Sequence, residues 1–439
     1  MKGTSPFLKY LAAIIMVFGT YLIGYVVPRS DFIRLISVFF IICLGGYFFW
    51  KNNLVKEGLI VAVLVRLVLL FSTPSLSDDC YRYIWDGYCS INGIHPFANV
   101  PSELVKQKIV GLDDQLLHQF NSPNYFSVYP LVLQIIFAIS AFLGKGNNFL
   151  IIILMKVFFV LFEFGAIYFI LKLLKKIGKA SRNVLLFALH PIVFIETVGN
   201  LHAEGIMVFF VIASVYFLYE NKNVYSALLF SLSVATKMLP LLFLPMFFTF
   251  LKGKGRWMWV FSTIVFSILL FSPLLIPQIF KNIGNSIGLY YHQFEFNASF
   301  YYVFKSIQHF FWGIRAPRLV GTLLIIPTIF YCVVYFFKNI KKQNVRILEP
   351  ALYVFTIYLL GSAIVHPWYI ILPIAISIFT SYRYPIFWGV LIFLTYIHYS
   401  VYKEYEYLVL ILEYVIVIGL IMVESSKNRQ LDVSKSVSK

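Results

Sequence analysis

The sequence predicts an all-α, polytopic membrane protein with about 12 to 14 transmembrane helices. The first indication is composition: of 439 residues, 60% are hydrophobic, 19% are aromatic and only 13% are charged, unlike a soluble globular protein. The second is the length of apolar runs such as 11–27 and 150–171, which approach or reach what is needed to cross a hydrocarbon core of about 30 Å. The third is the position of the basic residues, which cluster in short segments between these runs.

The basic clusters also indicate the topology. Short cytoplasmic loops hold an excess of Lys and Arg, and the clusters at 172–182, 252–256 and 338–346 fit that pattern. The net charge of +17 therefore reflects loops at a membrane, and nucleic-acid binding is not expected. With the N-terminus in the cytoplasm, two long segments, 74–128 and 277–318, lie on the extracytoplasmic side.

The spans follow from the individual apolar runs. The run at 131–143 is short for a full crossing, and we expect it to be interfacial or re-entrant. Residues 224–251 contain Lys237 and two prolines between basic ends, so a helix that breaks near Lys237 and turns back fits better than one long span. Together the spans form one transmembrane domain, 1–424, followed by a polar cytoplasmic tail, 425–439. The predicted spans are 8–27, 33–50, 57–73, 149–171, 183–199, 203–219, 224–236, 240–251, 257–276, 319–338, 347–364, 367–380, 385–402 and 406–423.

The segment 77–87 carries a dense group of charges in a chain with only 19 acidic residues. If a helix begins after Ser77, then Asp79, Arg82 and Asp86 fall on one face at i, i+3 and i+7. A carboxylate held there can act as a general base, and an arginine can meet a phosphate. An N-cap at Ser77 and acids that suit the helix dipole explain the same pattern without function, so both interpretations stay open.

Further polar residues gather at predicted hairpin tips on the same side of the membrane. Lys237 is a lone cation in apolar surroundings, and it indicates either phosphate capture or pairing with a loop carboxylate. His366 precedes interfacial aromatics, among them Trp368, which a membrane belt also explains. Asn297 is expected to open a helix. The tip at 196–204 matches no strong metal-ligand spacing, which favours hydrogen bonding to a sugar or to neighbouring loops. Its polar members are Glu196, Asn200, His202 and Glu204.

In their order along the chain, these motifs resemble the GT-C superfamily of membrane glycosyltransferases, which use polyprenyl-phosphate-linked sugars. The closest resemblance is to bacterial mannosyltransferase-like members, and it spans about residues 77 to 369. One residue departs from the family pattern, because Glu204 stands where relatives often carry Asp. The matching elements are Asp79 to Gly87; Gly93 to Phe97; Tyr129-Pro130-Leu131; Glu196 with Gly199-Asn200-Leu201-His202; Lys237-Met238-Leu239-Pro240; Asn297-Ala298-Ser299; and His366-Pro367-Trp368-Tyr369.

The resemblance implies an inverting transfer of a hexose, by resemblance mannose, from a polyprenyl-phosphate donor to a glycan or glycolipid acceptor on the extracytoplasmic face. Asp79 would be the catalytic base, with Asp78 as the alternative, and no metal cofactor is expected. The apolar interior would hold the prenyl chain within the lipids of a bacterial inner membrane. The donor phosphate would be bound by Lys237, Arg82 and His366. Substrate contacts would come from Asp86, Tyr83, Glu196, Asn200, His202, Asn297 and Trp368.

Other classes of function compete with this one. A transporter or flippase of a lipid-linked sugar or another anion predicts internal repeats and polar residues near the midplane, whereas this chain shows no repeat and its polar groups gather on one face. A non-catalytic assembly subunit would keep the same membrane plan but tolerate loss of Asp79. An enzyme that uses a pyrophosphate-linked donor shares so much chemistry that the sequence leaves it open.

Overall fold

The structure is a computed structural model that describes residues 5–313, 317–343 and 345–437. These residues fold into α-helices with short 3₁₀ and π turns, and the extended pairing among them is a single bridge between Phe296 and Ile364. The predicted all-α fold is confirmed. Several long apolar helices make the chain a multi-pass integral membrane protein, because a helix satisfies its own backbone hydrogen bonds in lipid.

Six helices in the described part are long and apolar enough to cross a membrane. A seventh crossing results if the helices Ser181–Ala188 and Pro191–Gly199, which meet at an angle of 52°, form one span. The bend falls at Pro191, whose ring and missing N–H interrupt a helix. The six helices are Pro6–Val26, Phe32–Lys51, Asn148–Lys176, Gly253–Leu274, Leu319–Asn339 and Lys403–Asn428.

Among the described residues, fewer helices are of full spanning length than the predicted 12 to 14, because an apolar run does not distinguish a long spanning helix from a shorter apolar one. The predicted break near Lys237 is confirmed: one helix ends at Val234 and the next helical turn begins at Leu239. Other apolar helices are only 10–17 residues long. They are Leu131–Gly144, Glu204–Tyr219, Asn223–Val234, Leu239–Phe250, Leu348–Gly361, Pro367–Ser377 and Tyr384–Tyr399.

The helices are numbered here in chain order. The segment predicted as a second long loop, 277–318, contains two of them, and the last helix continues through the polar tail as far as Val437. They are α1 (Pro6–Tyr21), α2 (Phe32–Lys51), α3 (Val55–Leu70), α4 (Asp79–Ile91), α5 (Pro101–Leu104), α6 (Asp114–Leu117), α7 (Leu131–Gly144), α8 (Asn148–Lys176), α9 (Leu185–Ala188), α10 (Pro191–Phe194), α11 (Glu204–Tyr219), α12 (Asn223–Val234), α13 (Leu244–Phe250), α14 (Gly253–Phe271), α15 (Pro277–Gln293), α16 (Phe300–Trp312), α17 (Pro317–Asn339), α18 (Leu348–Gly361), α19 (Ile371–Ser377), α20 (Tyr384–Leu391) and α21 (Glu406–Val437).

Three buried charged residues connect α3 to α8 and fix the approach to the first long segment. Arg66 of α3 forms an ion pair with Glu163 of α8 and also donates to the carbonyl oxygen of Ala188 at 3.0 Å. Nζ of Lys156 in α8 donates to the carbonyl oxygen of Ser72 at 2.7 Å, just beyond the end of α3. Leaving one of these buried charges without its partner would cost several kcal/mol, which is comparable to the net free energy of folding of a whole domain (about 5–15 kcal/mol). These contacts therefore hold the chain in one path toward α4.

The charged motif lies on α4, which begins at Asp79 as its spacing predicts. Gly87 of α4 faces α7 at very short range, since a Cβ at this position would lie 2.6 Å from the carbonyl oxygen of Phe137. A larger side chain would therefore push the two helices apart. Gln134 of α7 is buried and donates to Asp86 of α4 at 2.9 Å. The two helices form one packed unit that presents the first turn of α4.

Candidate active site

A cavity of about 730 Å³ opens beside the first turn of α4. Its wall combines polar side chains from segments that are far apart in sequence: the residues 76–83, the turn 202–204, the helix break 236–239 and the segment 362–369. All five of the predicted base and donor-phosphate residues therefore line one space, namely Asp78, Asp79, Arg82, Lys237 and His366.

Asp79 is the first residue of α4, and its carboxylate faces the cavity. Its side chain keeps 31% of its surface accessible, and Oδ2 lies 3.9 Å from Nε2 of His202. Burial raises the pKa of Asp79 above the ordinary carboxyl value, whereas the neighbouring His202 and Lys237 act to lower that pKa. The carboxyl therefore binds its proton more readily than a free aspartate does, which suits a group that must accept a proton.

Asp78 has a different environment, although it is adjacent in sequence. Its Oδ2 accepts a hydrogen bond from Nη2 of Arg29 at 3.0 Å, in an ion pair at the rim of the cavity. The guanidinium also lies over the ring of Tyr399, 4.9 Å from its centroid. The geometry therefore favours Asp79 over Asp78 as the base, because the Asp78 carboxylate is already paired with a cation.

Lys237 lies in the break between α12 and the turn that begins at Leu239, and both interpretations of this cation apply to it. Its Nζ forms an ion pair with Glu204, the first residue of α11, and lies 4.2 Å from the ring centroid of Tyr369. The Lys237 side chain is 28% exposed on the cavity wall, whereas Glu204 is only 1% exposed. Glu204 thus holds the ammonium toward the cavity, where an anionic ligand can reach it.

The tip at 196–204 forms a hydrogen-bonded chain that ends at the cavity. Oε1 of the fully buried Glu196 accepts from the hydroxyl of Tyr396 at 2.7 Å, and its Oε2 lies 3.1 Å from Nδ1 of His202. The opposite nitrogen of that ring, Nε2, points to Asp79. Glu196 itself does not line the cavity, so it supports His202 and is not a substrate contact as the sequence had predicted.

Trp368 is the centre of a column of stacked rings. Its indole lies against the imidazole of His202, with centroids 3.5 Å apart, and against that of His366 on the other face, at 4.3 Å. Phe296 extends the column beyond His366 at 4.9 Å. Because both faces of the indole are covered, Trp368 can offer a sugar only its edge. Burial lowers the pKa of His366 to about 3, so this ring is a neutral hydrogen-bonding group rather than a cation for phosphate.

Arg82 and Asp86 form the pair that their spacing predicts, with Nε of Arg82 3.0 Å from Oδ1 of Asp86. Nη1 of Arg82 donates to the carbonyl oxygens of Ser122 (3.0 Å) and Tyr125 (2.9 Å), which leaves Nη2 without a partner in the described part of the chain. Arg82 lines the cavity, but Asp86 lies behind it and also accepts hydrogen bonds from Ser127 and Gln134. Asp86 therefore holds Arg82 in place and does not reach a substrate in the cavity.

The remaining predicted substrate contacts also divide into residues that line the cavity and residues that lie behind it. Tyr83 lines the cavity and stacks on Phe137 with ring centroids 4.6 Å apart. The side chain of Asn200 is turned away from the cavity, where its Oδ1 accepts from the backbone N–H of Leu76 at 3.0 Å. Asn297 precedes α16, as predicted for a helix start, and its amide donates to Glu413 at 3.2 Å. Asn200 and Asn297 thus anchor loops around the site.

Sequence reasoning missed several residues of the site. Arg29 and Glu295 line the cavity, and Tyr396 orders Glu196 from 200 residues further along the chain. Arg29 carried a signal, because it closely follows the first apolar run, at the end that the sequence predicts to be extracytoplasmic. Glu295 pairs with Lys305 on α16. Within residues 5–313, 317–343 and 345–437, no group of three His, Cys, Asp or Glu side chains is arranged to hold a metal ion.

Part of the chain is similar to a known protein family. Residues 45–253, a little under half of the chain, match the model of the MptA_B family, described as the N-terminal domain of alpha-(1->6)-mannopyranosyltransferases. That stretch contains Asp79, His202 and Lys237. No curated protein matches the chain. Residues 45–253 are therefore similar to the N-terminal domain of a mannosyltransferase family, and the chain is a membrane glycosyltransferase.

Proposed function

We propose that this chain is an inverting mannosyltransferase that uses a polyprenyl-phosphate mannose donor and a glycan or glycolipid acceptor. The observation that carries the proposal is the shared cavity of about 730 Å³, in which a desolvated carboxylate, Asp79, and a cation, Lys237, line one wall. The mannosyltransferase match supports mannose as the sugar. The lipid-linked donor and the inversion are what the resemblance to GT-C glycosyltransferases implies, and a base and a cation in one cavity suit both.

Asp79 would act as the general base. Its carboxylate removes the proton of an acceptor hydroxyl while that oxygen bonds to the anomeric carbon, and the bond from this carbon to the phosphate oxygen breaks on the opposite side. The electron pair of the broken bond stays with the leaving phosphate, and the sugar configuration inverts. A positioned base of this kind contributes about 10²- to 10⁴-fold.

Lys237 would stabilise the leaving phosphate, which gains negative charge in the transition state. A cation already in place at that point helps most, because no reorganisation is needed as the charge develops. Glu204 keeps the ammonium at the wall without enclosing it, since Lys237 remains partly exposed. The unpartnered Nη2 of Arg82 and the neutral imidazole of His366 are further hydrogen-bonding groups on this wall.

The prenyl chain needs an apolar path into the same cavity. Leu239, Leu241 and Leu242 follow Lys237 directly and line the cavity, so apolar surface begins where the proposed phosphate contact ends. Burial of each CH₂ group of the chain is worth about 0.8 kcal/mol. A donor with a phosphate head and an isoprenoid tail therefore suits this wall better than a water-soluble nucleotide sugar.

The distribution of basic residues supports an assignment of the cavity to one side of the membrane. The basic clusters at 172–182, 252–256 and 338–346 belong to cytoplasmic segments by the positive-inside pattern, and this also assigns the N-terminus to the cytoplasm. The segment 74–128, which carries Asp79, then lies on the extracytoplasmic side. We infer a bacterial inner membrane with the cavity open on its outer face.

The test is transfer from labelled polyprenyl-phospho-mannose to crude acceptor lipids in membranes that contain the wild type, Asp79→Asn or Asp78→Asn. We expect Asp79→Asn to lower transfer by about 10²-fold or more, and Asp78→Asn to lower it far less, because that carboxylate is paired with Arg29. Equal transfer by the wild type and Asp79→Asn would exclude this base. Movement of the intact lipid-linked sugar across the membrane without transfer would indicate a flippase instead.

A further inference from the structure

We propose that His202 is a positioning residue that keeps the Asp79 carboxylate ionised and aligned for proton abstraction, an inference that rests on the proposed role of Asp79. Nε2 of His202 is buried and has no hydrogen-bond partner among the described residues. Buried nitrogens of this kind normally have one, which makes the nearby Asp79 carboxylate a candidate partner. It faces Oδ2 of Asp79 at 3.9 Å, and a contraction of about 1 Å on substrate binding would make a hydrogen bond.

The orientation of the His202 ring is fixed by contacts other than the one with Asp79. Glu196 binds Nδ1 at 3.1 Å and is itself fixed by the hydroxyl of Tyr396 at 2.7 Å. The indole of Trp368 lies against the ring with an interplanar angle of 14°. A ring held at one nitrogen and on one face cannot turn away, so Nε2 stays directed at Asp79. A carboxylate behind a histidine also stabilises the imidazolium, the same arrangement by which catalytic triads orient their histidine.

The charges around Asp79 leave His202 as the cation that acts on it most directly. Asp78 is paired with Arg29 and Lys237 with Glu204, and the two neighbouring carboxylates act to raise the pKa of Asp79. His366, which also lies near His202, stays neutral because its pKa is about 3. When both ring nitrogens of His202 carry a proton, a positive charge stands 3.9 Å from the carboxylate and favours its ionised form.

The proposed role of His202 predicts that its replacement changes the pH dependence of transfer. An opposite charge at this range typically lowers a carboxyl pKa by about 1 to 3 units, against the desolvation that raises the pKa of Asp79. Without His202, that positive charge no longer opposes the effect of desolvation on the pKa of Asp79. The acidic limb of kcat/KM therefore moves to higher pH by about 1 unit or more in His202→Gln. Glu196→Gln shifts it in the same direction by less, because the imidazolium loses its partner.

Asn200→Ala is the matched control. Asn200 anchors the same tip, through hydrogen bonds to Leu76 and Ile195, but carries no charge and does not face the cavity. Its loss disturbs the position of the tip, so kcat/KM falls while the acidic limb stays in place. A limb that is unchanged in His202→Gln, or that moves equally in Asn200→Ala, would overturn the proposal.

A second readout does not depend on transfer. The infrared carboxyl band that is lost in Asp79→Asn reports the protonation of Asp79 in the purified protein. We expect it to appear on acidification at a lower pH in the wild type than in His202→Gln. Equal titration of the two proteins would refute the role of His202. Wild-type membranes that show no Asp79-dependent transfer would instead refute the proposed function, and the infrared titration would still decide the relation between the two residues.

Discussion

Lys237 and Glu204 form an ion pair at the cavity wall although they are 33 residues apart in sequence. The pair joins the break after α12 to the first turn of α11, where the carboxylate is buried and the ammonium remains partly exposed. This asymmetry makes compatible two interpretations of the lysine that the sequence presents as alternatives. It is paired structurally, and it can still meet an anion in the cavity.

Replacing Lys237 should impair the chemical step. We expect Lys237→Met to lower kcat by about 10²- to 10³-fold, the usual effect of removing a group that stabilises charge in the transition state. Transfer from polyprenyl-phospho-mannose measures it. Lys222→Met is the control, because Lys222 stands at the opposite end of α12 and is exposed. An unchanged kcat in Lys237→Met would show that the lysine serves only to pair with Glu204.

Asp86 should matter for stability rather than for substrate contact. Asp86→Ala leaves the buried guanidinium of Arg82 without its carboxylate, and loss of one partner of a buried pair costs about 3–5 kcal/mol. The free energy of unfolding of the detergent-solubilised protein is the measurement. Asp114→Ala provides the comparison, since that side chain is exposed and such changes stay within about 0.5 kcal/mol. Equal losses in the two variants would contradict the assigned role.

Trp368 should behave as a packing residue of the ring column. Each aromatic contact is worth about 0.5–1.5 kcal/mol, so Trp368→Leu should lower the free energy of unfolding by about 1–3 kcal/mol, and Trp368→Phe by less. The exposed Trp257 of α14 supplies the control in Trp257→Leu. If Trp368→Leu mainly raised the KM for the acceptor with no loss of stability, a sugar would be stacking on the indole after all.

The pH dependence of transfer follows from the pKa of Asp79. The base works only when deprotonated, and burial raises its pKa, so transfer should fall as the pH drops through a value above the ordinary carboxyl pKa of about 3.9. His366→Gln should lower kcat/KM without moving this limb, because His366 is neutral at all pH values well above 3. A wild-type limb at the ordinary carboxyl value would argue against a desolvated base.

Local patterns predicted local features well. The start of α4 at Asp79, the pairing of Arg82 with Asp86 four residues on, and the break near Lys237 all follow from helix periodicity and proline chemistry. The number of full crossings did not follow, because short buried helices and spanning helices have the same apolar runs. The sequence also did not reveal which polar residues reach the cavity and which, such as Asn200, lie behind its wall.

The sequence by itself determined the all-α membrane fold and the polar motifs, because composition, periodicity and residue type are properties of the chain alone. The type of chemistry came from the resemblance of these motifs to a known family. The tertiary structure decided which side chains meet. Tyr396 reaches Glu196 across 200 residues, and Glu196 in turn orients His202 toward Asp79. Such contacts depend on how the helices pack against one another, and no spacing along the chain encodes them. Partial desolvation of the Asp79 carboxylate has the same origin, since only the assembled walls of the cavity limit its contact with water.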